Sequence, residues 1–299
     1  MRASVAVPRS FQAIARARVA DYVEMTKPGI ALTVLFTALV GFVLASQAGL
    51  AVASLVHVLF GVALVAGGAS ALNQVLERDT DSLMRRTERR PLPSGRVLPG
   101  EGMAFGVALS IGGVIHLAIW TNILCSLLAA ATVVGYVWIY TPLKKVTPLS
   151  TIVGAVPGAM PPLIGWAAAR GSVGPEAWLL FSIMVIWQLP HFLAIAWIYR
   201  EDYERAGLPV LAVVDPEGEA TGRQILNWSL ALLPVSLLPT VVGITGPLYF
   251  VGAFLLGVGL LILGVRAARR ITTASARSVF LASVIYIPAL FLLMVIDRV

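Results

Sequence analysis

Nine separate runs of about twenty apolar residues, the length that carries a helix across a bilayer, recur along this chain. Backbone inside hydrocarbon has no water to bond. Each run must therefore close its own hydrogen bonds as a helix, or pair within a closed barrel. Barrel strands show short segments of alternating polarity, whereas the runs here are continuous. The sequence thus predicts an all-α membrane protein with spans near 30–48, 52–76, 102–119, 121–139, 148–168, 177–198, 225–243, 246–265 and 278–296. Charged residues make up 12% of the chain, against about 25% in a soluble domain.

The charges that remain are segregated. With a cytoplasmic N-terminus and nine alternating helices, all of the 22 Lys and Arg residues except Arg170 and Arg298 fall on the cytoplasmic side. Basic residues mark cytoplasmic loops, so the net charge of +7 reads as topology and not as affinity for nucleic acid. Residues 1–25 read as a cytoplasmic N-terminal tail ahead of a nine-helix domain, 26–299. Arg2, Arg9, Arg16 and Arg18, with no acid among residues 1–20, also fit a targeting segment; the tail is the simpler reading. Cys125 is alone, which excludes an internal disulfide or a cysteine metal cluster. The long loops, 77–101 and 199–224, share the basic side, and function in a rigid scaffold concentrates in such connections. No charge falls in the middle of a span, which counts against an ion-coupled transporter.

The first long loop opens with ALNQVLERDTDSLMRRTERRPLPSG, Ala71 to Gly95. Asn73, Glu77 and Asp81 are spaced i, i+4, i+8, which stacks them on one helical stripe. Neighbours on such a stripe lie about 5–6 Å apart at Cβ. Two carboxylates and an amide oxygen suit a hard divalent cation such as Mg²⁺, whose shell is often completed by substrate phosphate. Asp79 points away on a regular helix and joins the set only if the helix ends there. A solvated, charged helix end is the plainer alternative. Against it stand the scarcity of acids elsewhere and the adjacent Arg85, Arg86, Arg89 and Arg90. Arginines bind diphosphate oxygens through paired N–H groups. A second cluster, WIYREDYERAGLPVL, offers Arg200, Glu201, Asp202 and Glu204; a third, YTPLKKVTP, offers Lys144 and Lys145. All three lie on one membrane face and together predict a diphosphate-binding mouth over a central apolar cavity.

Asn73, Glu77 and Asp81 resemble the first Asp-rich motif, N-x-x-x-D-x-x-x-D, of the UbiA-type intramembrane prenyltransferases. Arg86, Thr87, Arg90, Pro91 and Leu92 are similar to that superfamily's R-T-x-x-R-P-L segment. TKPGI, YTPLKK, PGAMPPLIGW, WQLPHFLAIAW and DYERAGLPVL resemble its protohaem IX farnesyltransferase (haem O synthase) branch. The resemblance covers about Asp21 to Gly222. Glu77 stands where the pattern most often has Asp, and the second motif leaves Asp202 flanked by Glu201 and Tyr203 without a repeated Asp.

The resemblance implies a nine-helix fold that moves farnesyl from farnesyl diphosphate to a vinyl group of haem B, with water, giving haem O and diphosphate. It implies Mg²⁺ or another divalent cation on Asn73, Glu77, Asp81 and Asp202, and substrate contacts from Arg86, Arg90, Lys144, Arg200, Tyr203 and His191. Implied partners are membrane lipids and haem A synthase or oxidase-assembly proteins, in a bacterial cell membrane or a mitochondrial inner membrane. Among the three histidines, His57 and His116 sit near external helix ends, while His191 lies about two turns inside the mouth end of its helix. A helix–helix hydrogen bond is the plainer role for His191. The competing functions are a quinone-precursor or chlorophyll-like acceptor within the same superfamily, and a lipid-phosphate transporter. Topology is testable directly: in a Cys125→Ser background, Gly95→Cys and Glu217→Cys are expected to label only from the cytoplasmic face. Labelling only from outside overturns the assignment.

Overall fold

The computed structural model describes residues 11–46 and 49–299. Arg2 and Arg9 of the predicted tail lie outside the described residues. The remainder of the tail is helical, α1 (Phe11–Met25). Then follow α2 (Pro28–Ala45), α3 (Val52–Leu76), α4 (Arg78–Ser82), α5 (Pro99–Trp120) and α6 (Ile123–Val133). Helix α6 continues through a π-helical turn, Val134–Tyr140, into α7 (Thr141–Leu143). Next come α8 (Ser150–Gly158), α9 (Met160–Arg170), α10 (Pro175–Ile198), α11 (Arg200–Arg205) and α12 (Leu211–Val214). The chain ends with α13 (Glu219–Val241), α14 (Pro247–Arg269) and α15 (Thr273–Ile296).

Among the described residues nine helical segments are long and apolar enough to cross a membrane, two of them assembled from α6–α7 and from α8–α9. All nine predicted spans are present. Their ends differ from the apolar windows because helices stop at caps and not where hydropathy falls. Pro28, Pro99, Pro175 and Pro247 start their helices in the first turn, where a missing N–H costs nothing. Thr272 caps α15 by accepting from the Ser275 amide, several residues ahead of the predicted start. Pro157 lies inside α8, which ends at Gly158, and Pro161 and Pro162 stand in the first turn of α9. Gln188 of α10 braces this break by donating to the Ala155 carbonyl at 3.1 Å.

Lipid does not drive helices together as water does, so association relies on close packing and interhelical hydrogen bonds. Both are present. Gly41 of α2 lies against the Pro162 backbone, and Gly165 of α9 lies against the Ala38 carbonyl. In the second half, Tyr249 donates to the Ser236 carbonyl at 2.7 Å and Tyr286 to the Ser236 hydroxyl at 2.8 Å, tying α13, α14 and α15. Helix α15 returns to α2 and closes the ring: Arg298 donates to the carbonyls of Val43 and Ser46, while Asp297 accepts the Tyr249 amide at the start of α14.

The α2–α9 contact is backbone on backbone, so a methyl group there has no flexible neighbour to displace. Gly165→Ala is expected to destabilise the bundle by about 1–3 kcal/mol, the usual cost of overpacking. Thermal unfolding of the purified variant in detergent checks this; an unchanged melting temperature contradicts it.

Candidate active site

The site begins where α3 reaches its end. Asn73 and Gln74 are buried in its last turns, and Glu77 closes the helix at φ −97°, ψ 4°. The chain breaks there but keeps its hydrogen-bond rhythm. The Glu77 amide donates to the Asn73 carbonyl at 2.9 Å, and the Asp81 amide to the Glu77 carbonyl at 2.7 Å. The i, i+4, i+8 stripe therefore survives the break, and the side chains of Asn73, Glu77 and Asp81 are 2%, 7% and 3% exposed as residues. Asp79 stays exposed on the outer side of α4. The break that was the condition for its joining the cluster has occurred, yet the retained register keeps it out.

Each buried oxygen group of the stripe holds a cation. Lys144 Nζ lies 2.7 Å from Glu77 Oε1, and Arg90 Nη1 lies 2.7 Å from Asp81 Oδ2. Lys27 Nζ donates to Asn73 Oδ1 at 2.9 Å. The orientation of the Asn73 amide follows from its other partner. Thr141 Oγ1 gives its one proton to the Tyr136 carbonyl at 2.8 Å, so it must accept from Asn73 Nδ2, 3.1 Å away. The Asn73 oxygen accordingly faces the cluster. The π-helical turn sets Thr141 there, since the Thr141 amide bonds Tyr136 and not the carbonyl of the residue after it.

The electrostatics are those of a matched cluster in poor solvent. Burial works against the Glu77 carboxylate, but Lys144, Lys27 and Arg90 outweigh it and hold Glu77 below the usual carboxylate range. Burial likewise opposes the Lys144 charge, and Tyr140, Glu77 and Tyr203 reverse that and push the amine above its ordinary value. Lys27 goes the other way. Burial, joined by repulsion from Arg90 and Lys144, brings its amine down to about 7 against the pull of Glu77 and Asp81.

Asp202, 7% exposed, stands at the start of α11. Its two oxygens accept the backbone amides of Arg85 at 3.3 Å and Arg86 at 3.2 Å, and Arg205 pairs with it at 3.1 Å. The second acidic motif thus grips the arginine loop that follows the first. The Arg86 guanidinium lies 4.9 Å over the Tyr199 ring, on the exposed side of that loop. Arg200 stacks 4.7 Å over Trp197. Tyr203 packs on Met84, Ala206 and Leu208. His191 faces α15, its Nδ1 2.8 Å from Ser283 Oγ.

The structure therefore gathers Asn73, Glu77, Asp81, Arg90 and Lys144 into one cluster and attaches Asp202 to it through the Arg85–Arg86 backbone. Arg200 and His191 are engaged elsewhere, on Trp197 and on α15. Lys27, Thr141 and Tyr140 belong to the cluster and were missed by motif reasoning; the one trace of Lys27 in the sequence is its place in TKPGI. Lys27 adopts φ 51°, the sole non-glycine residue with positive φ among the described residues, a conformation that L side chains rarely adopt. No three His, Cys, Asp or Glu side chains among the described residues converge on a point. The oxygen set is two carboxylates and an inward-facing amide, hard donors that now hold ammonium and guanidinium groups. That chemistry fits a hard divalent cation.

Residues 34–293 match the profile of the UbiA prenyltransferase family. A protoheme IX farnesyltransferase of Solibacter usitatus is 47% identical over 287 residues, covering 93% of this chain and 98% of the relative. One from Salinibacter ruber is 42% identical, covering 93% of this chain and 98% of that one. Among solved structures, a digeranylgeranylglyceryl phosphate synthase superposes with a TM-score of 0.79 at 17% identity, covering 94% of this chain and 98% of its own. A UbiA homologue from Archaeoglobus fulgidus bound to GPP and Mg²⁺ gives 0.63 at 15% identity, covering 92% and 99%. At these identities the two structures speak to the fold.

Removing one partner of a buried ion pair leaves the other charge stranded. Lys144→Met is expected to cost about 3 kcal/mol, and adding Glu77→Gln to recover most of it. Denaturant unfolding in detergent without divalent metal measures both; a single variant as stable as the parent contradicts the pairing.

Proposed function

This chain belongs to the UbiA prenyltransferase family, and from that premise we propose that it transfers farnesyl from farnesyl diphosphate to a vinyl group of haem B. Water is added in the reaction, and the products are haem O, for the cofactor of haem–copper oxidases, and diphosphate. The observation that carries the reading is the buried cluster of acids and cations at the mouth of an apolar bundle, in a chain 47% identical to a protein of that name.

Asn73, Glu77, Asp81 and Asp202 are the residues to hold Mg²⁺, as their donor chemistry fits. Asp202 Oδ1 accepts the Arg85 amide and pairs with Arg205, while Oδ2 accepts the Arg86 amide alone and keeps a further lone pair. Bound there, the cation neutralises diphosphate and stabilises the charge that develops as the C–O bond ionises. The remaining work falls to the protein's own side chains. Lys27, Lys144 and Arg90 hold Asn73, Glu77 and Asp81, so they stand ready to turn toward diphosphate oxygens once those oxygens are otherwise engaged. Arg86 reaches from the loop that Asp202 fixes, and its planar fork can grip two oxygens at once. Arg200 and Tyr203 flank the mouth from the other loop. Fixed donors of this kind, aimed at the leaving group, stabilise charge as it forms without reorganising.

The farnesyl chain extends into the apolar bundle, which keeps water from the allylic cation. The terminal carbon of the haem vinyl group attacks C1 of farnesyl. The cation left on the carbon next to the porphyrin takes up water and loses a proton, which makes the hydroxyethyl linkage. No side-chain nucleophile is needed. We assign His191, which bonds Ser283 of α15 through Nδ1, the role of positioning haem beneath the mouth. We assign the mouth to the cytoplasmic face of a bacterial cell membrane, from the distribution of Lys and Arg. Haem A synthase or oxidase-assembly proteins are the partners suited to collect the product.

Purified protein supplied with haem B, labelled farnesyl diphosphate and Mg²⁺ is expected to yield a porphyrin heavier by one farnesyl and one hydroxyl group. Asp81→Ala and Asn73→Ala are expected to abolish turnover while the protein stays folded. Arg86→Lys is expected to weaken farnesyl diphosphate binding, because a point charge does not replace the fork. A porphyrin of unchanged mass refutes the reaction, and near-normal turnover of either alanine variant refutes the site.

A further inference from the structure

The last helix carries a serine whose hydrogen bonds determine which nitrogen of His191 bears the proton. Ser283 is buried in α15, with 0% exposure. Its hydroxyl has a single proton, and that proton goes to the Phe280 carbonyl at 2.7 Å. Toward His191, 2.8 Å away, the same oxygen can only accept. With the hydroxyl proton on the Phe280 carbonyl, a neutral imidazole carries its own proton on Nδ1 and its lone pair on Nε2. Nε2 has no hydrogen-bond partner among the described residues, and His191 is only partly buried.

The ring is held on its flanks as well. Trp187 stacks on it with centroids 5.1 Å apart and planes 25° from parallel, and Phe280 lies 5.2 Å away. Trp187 in turn donates its indole N–H to the backbone carbonyl of Ser283 at 2.8 Å. Both contacts from α10 thus meet at one residue of α15. A histidine that only joined two helices would need one hydrogen bond in either tautomer. Here the serine hydroxyl bonds one nitrogen and three aromatic rings, Trp187, Phe192 and Phe280, flank the imidazole, leaving Nε2 without a partner among the described residues. Metal-ligating histidines are held in this way, with the second ring nitrogen donating to an outer partner.

We propose that Ser283 is a positioning residue for haem: it holds His191 as the Nδ1–H tautomer and so presents the Nε2 lone pair to the haem iron. The inference rests on the reading that haem B lies at His191. Ser283 makes no contact with the substrate and acts through the imidazole alone. The Ser283 hydroxyl thereby fixes where the porphyrin plane sits, and with it the distance of the vinyl group from the mouth.

The test uses the full-length protein in detergent, titrated with haem B and followed by absorption and by the iron–histidine stretch in the ferrous Raman spectrum. Farnesyl diphosphate affinity serves as the check on folding. His191→Ala is expected to abolish the iron–histidine band. Ser283→Ala is expected to shift that band and weaken haem binding ten-fold or more, about the effect of losing an outer-shell partner. Ser283→Thr, which keeps the hydroxyl, is expected to restore both, with farnesyl diphosphate affinity unchanged throughout. If His191→Ala loses the band while Ser283→Ala matches the parent in band and affinity, the role of Ser283 is refuted and the haem site stands. If His191→Ala keeps the band and the affinity, the haem site itself is refuted. If Ser283→Ala weakens haem and farnesyl diphosphate binding alike and Thr does not rescue, Ser283 is a packing residue and the proposal fails.

Discussion

Carboxylates cannot enter an apolar bundle alone, and the mouth of this protein is built around that constraint. Charged groups removed from water need partners of opposite sign with their remaining hydrogen bonds met. Glu77 and Asp81 find theirs in Lys144 and Arg90, which are distant in sequence or across a loop. Lys27 joins from the entry to the first span. The pairing fixes the end of α3, the arginine loop, the end of the fourth span and the start of the first around one small volume. Asp202 extends the same logic, anchoring the backbone of that loop from the opposite side.

A cluster neutralised from within is also a cluster that can exchange partners. Diphosphate and a divalent cation together would bring both signs, so Glu77 and Asp81 would have a cation to hold and Lys144 and Arg90 would have phosphate oxygens to hold. The same side chains are used before and after, and no charge is left unmatched at either stage. This accounts for cationic and acidic residues standing side by side at the end of a membrane helix.

Much of this was legible in the sequence because the bilayer imposes length. The apolar runs marked nine helices, and only their ends were displaced, by Pro28, Pro99 and the other first-turn prolines and by the Thr272 cap. The stripe of Asn73, Glu77 and Asp81 was legible because helical spacing is local. It survived the break after Leu76 through two i→i+4 bonds that no periodicity could announce. Lys27 was not legible, since its contact with Asn73 spans 46 residues. Nor were the grip of Asp202 on two backbone amides or the stacking of Arg200 on Trp197. In each case the residue type suggested charge pairing, and the fold supplied a partner that has no charge pattern to read.

The π-helical turn at Val134–Tyr140 holds one residue more per turn than the α-helix on either side of it. Everything beyond it, Thr141 and Lys144 included, is rotated by about 100° relative to an unbroken helix. One codon gained or lost between Val137 and Ile139 would turn the amine away from Glu77 while changing none of the residues named in the site. Divergence of specificity here needs no altered motif. Two descendants can carry the same signature letter for letter and line their mouths with different walls, and an inventory of shared residues would count them as equivalent.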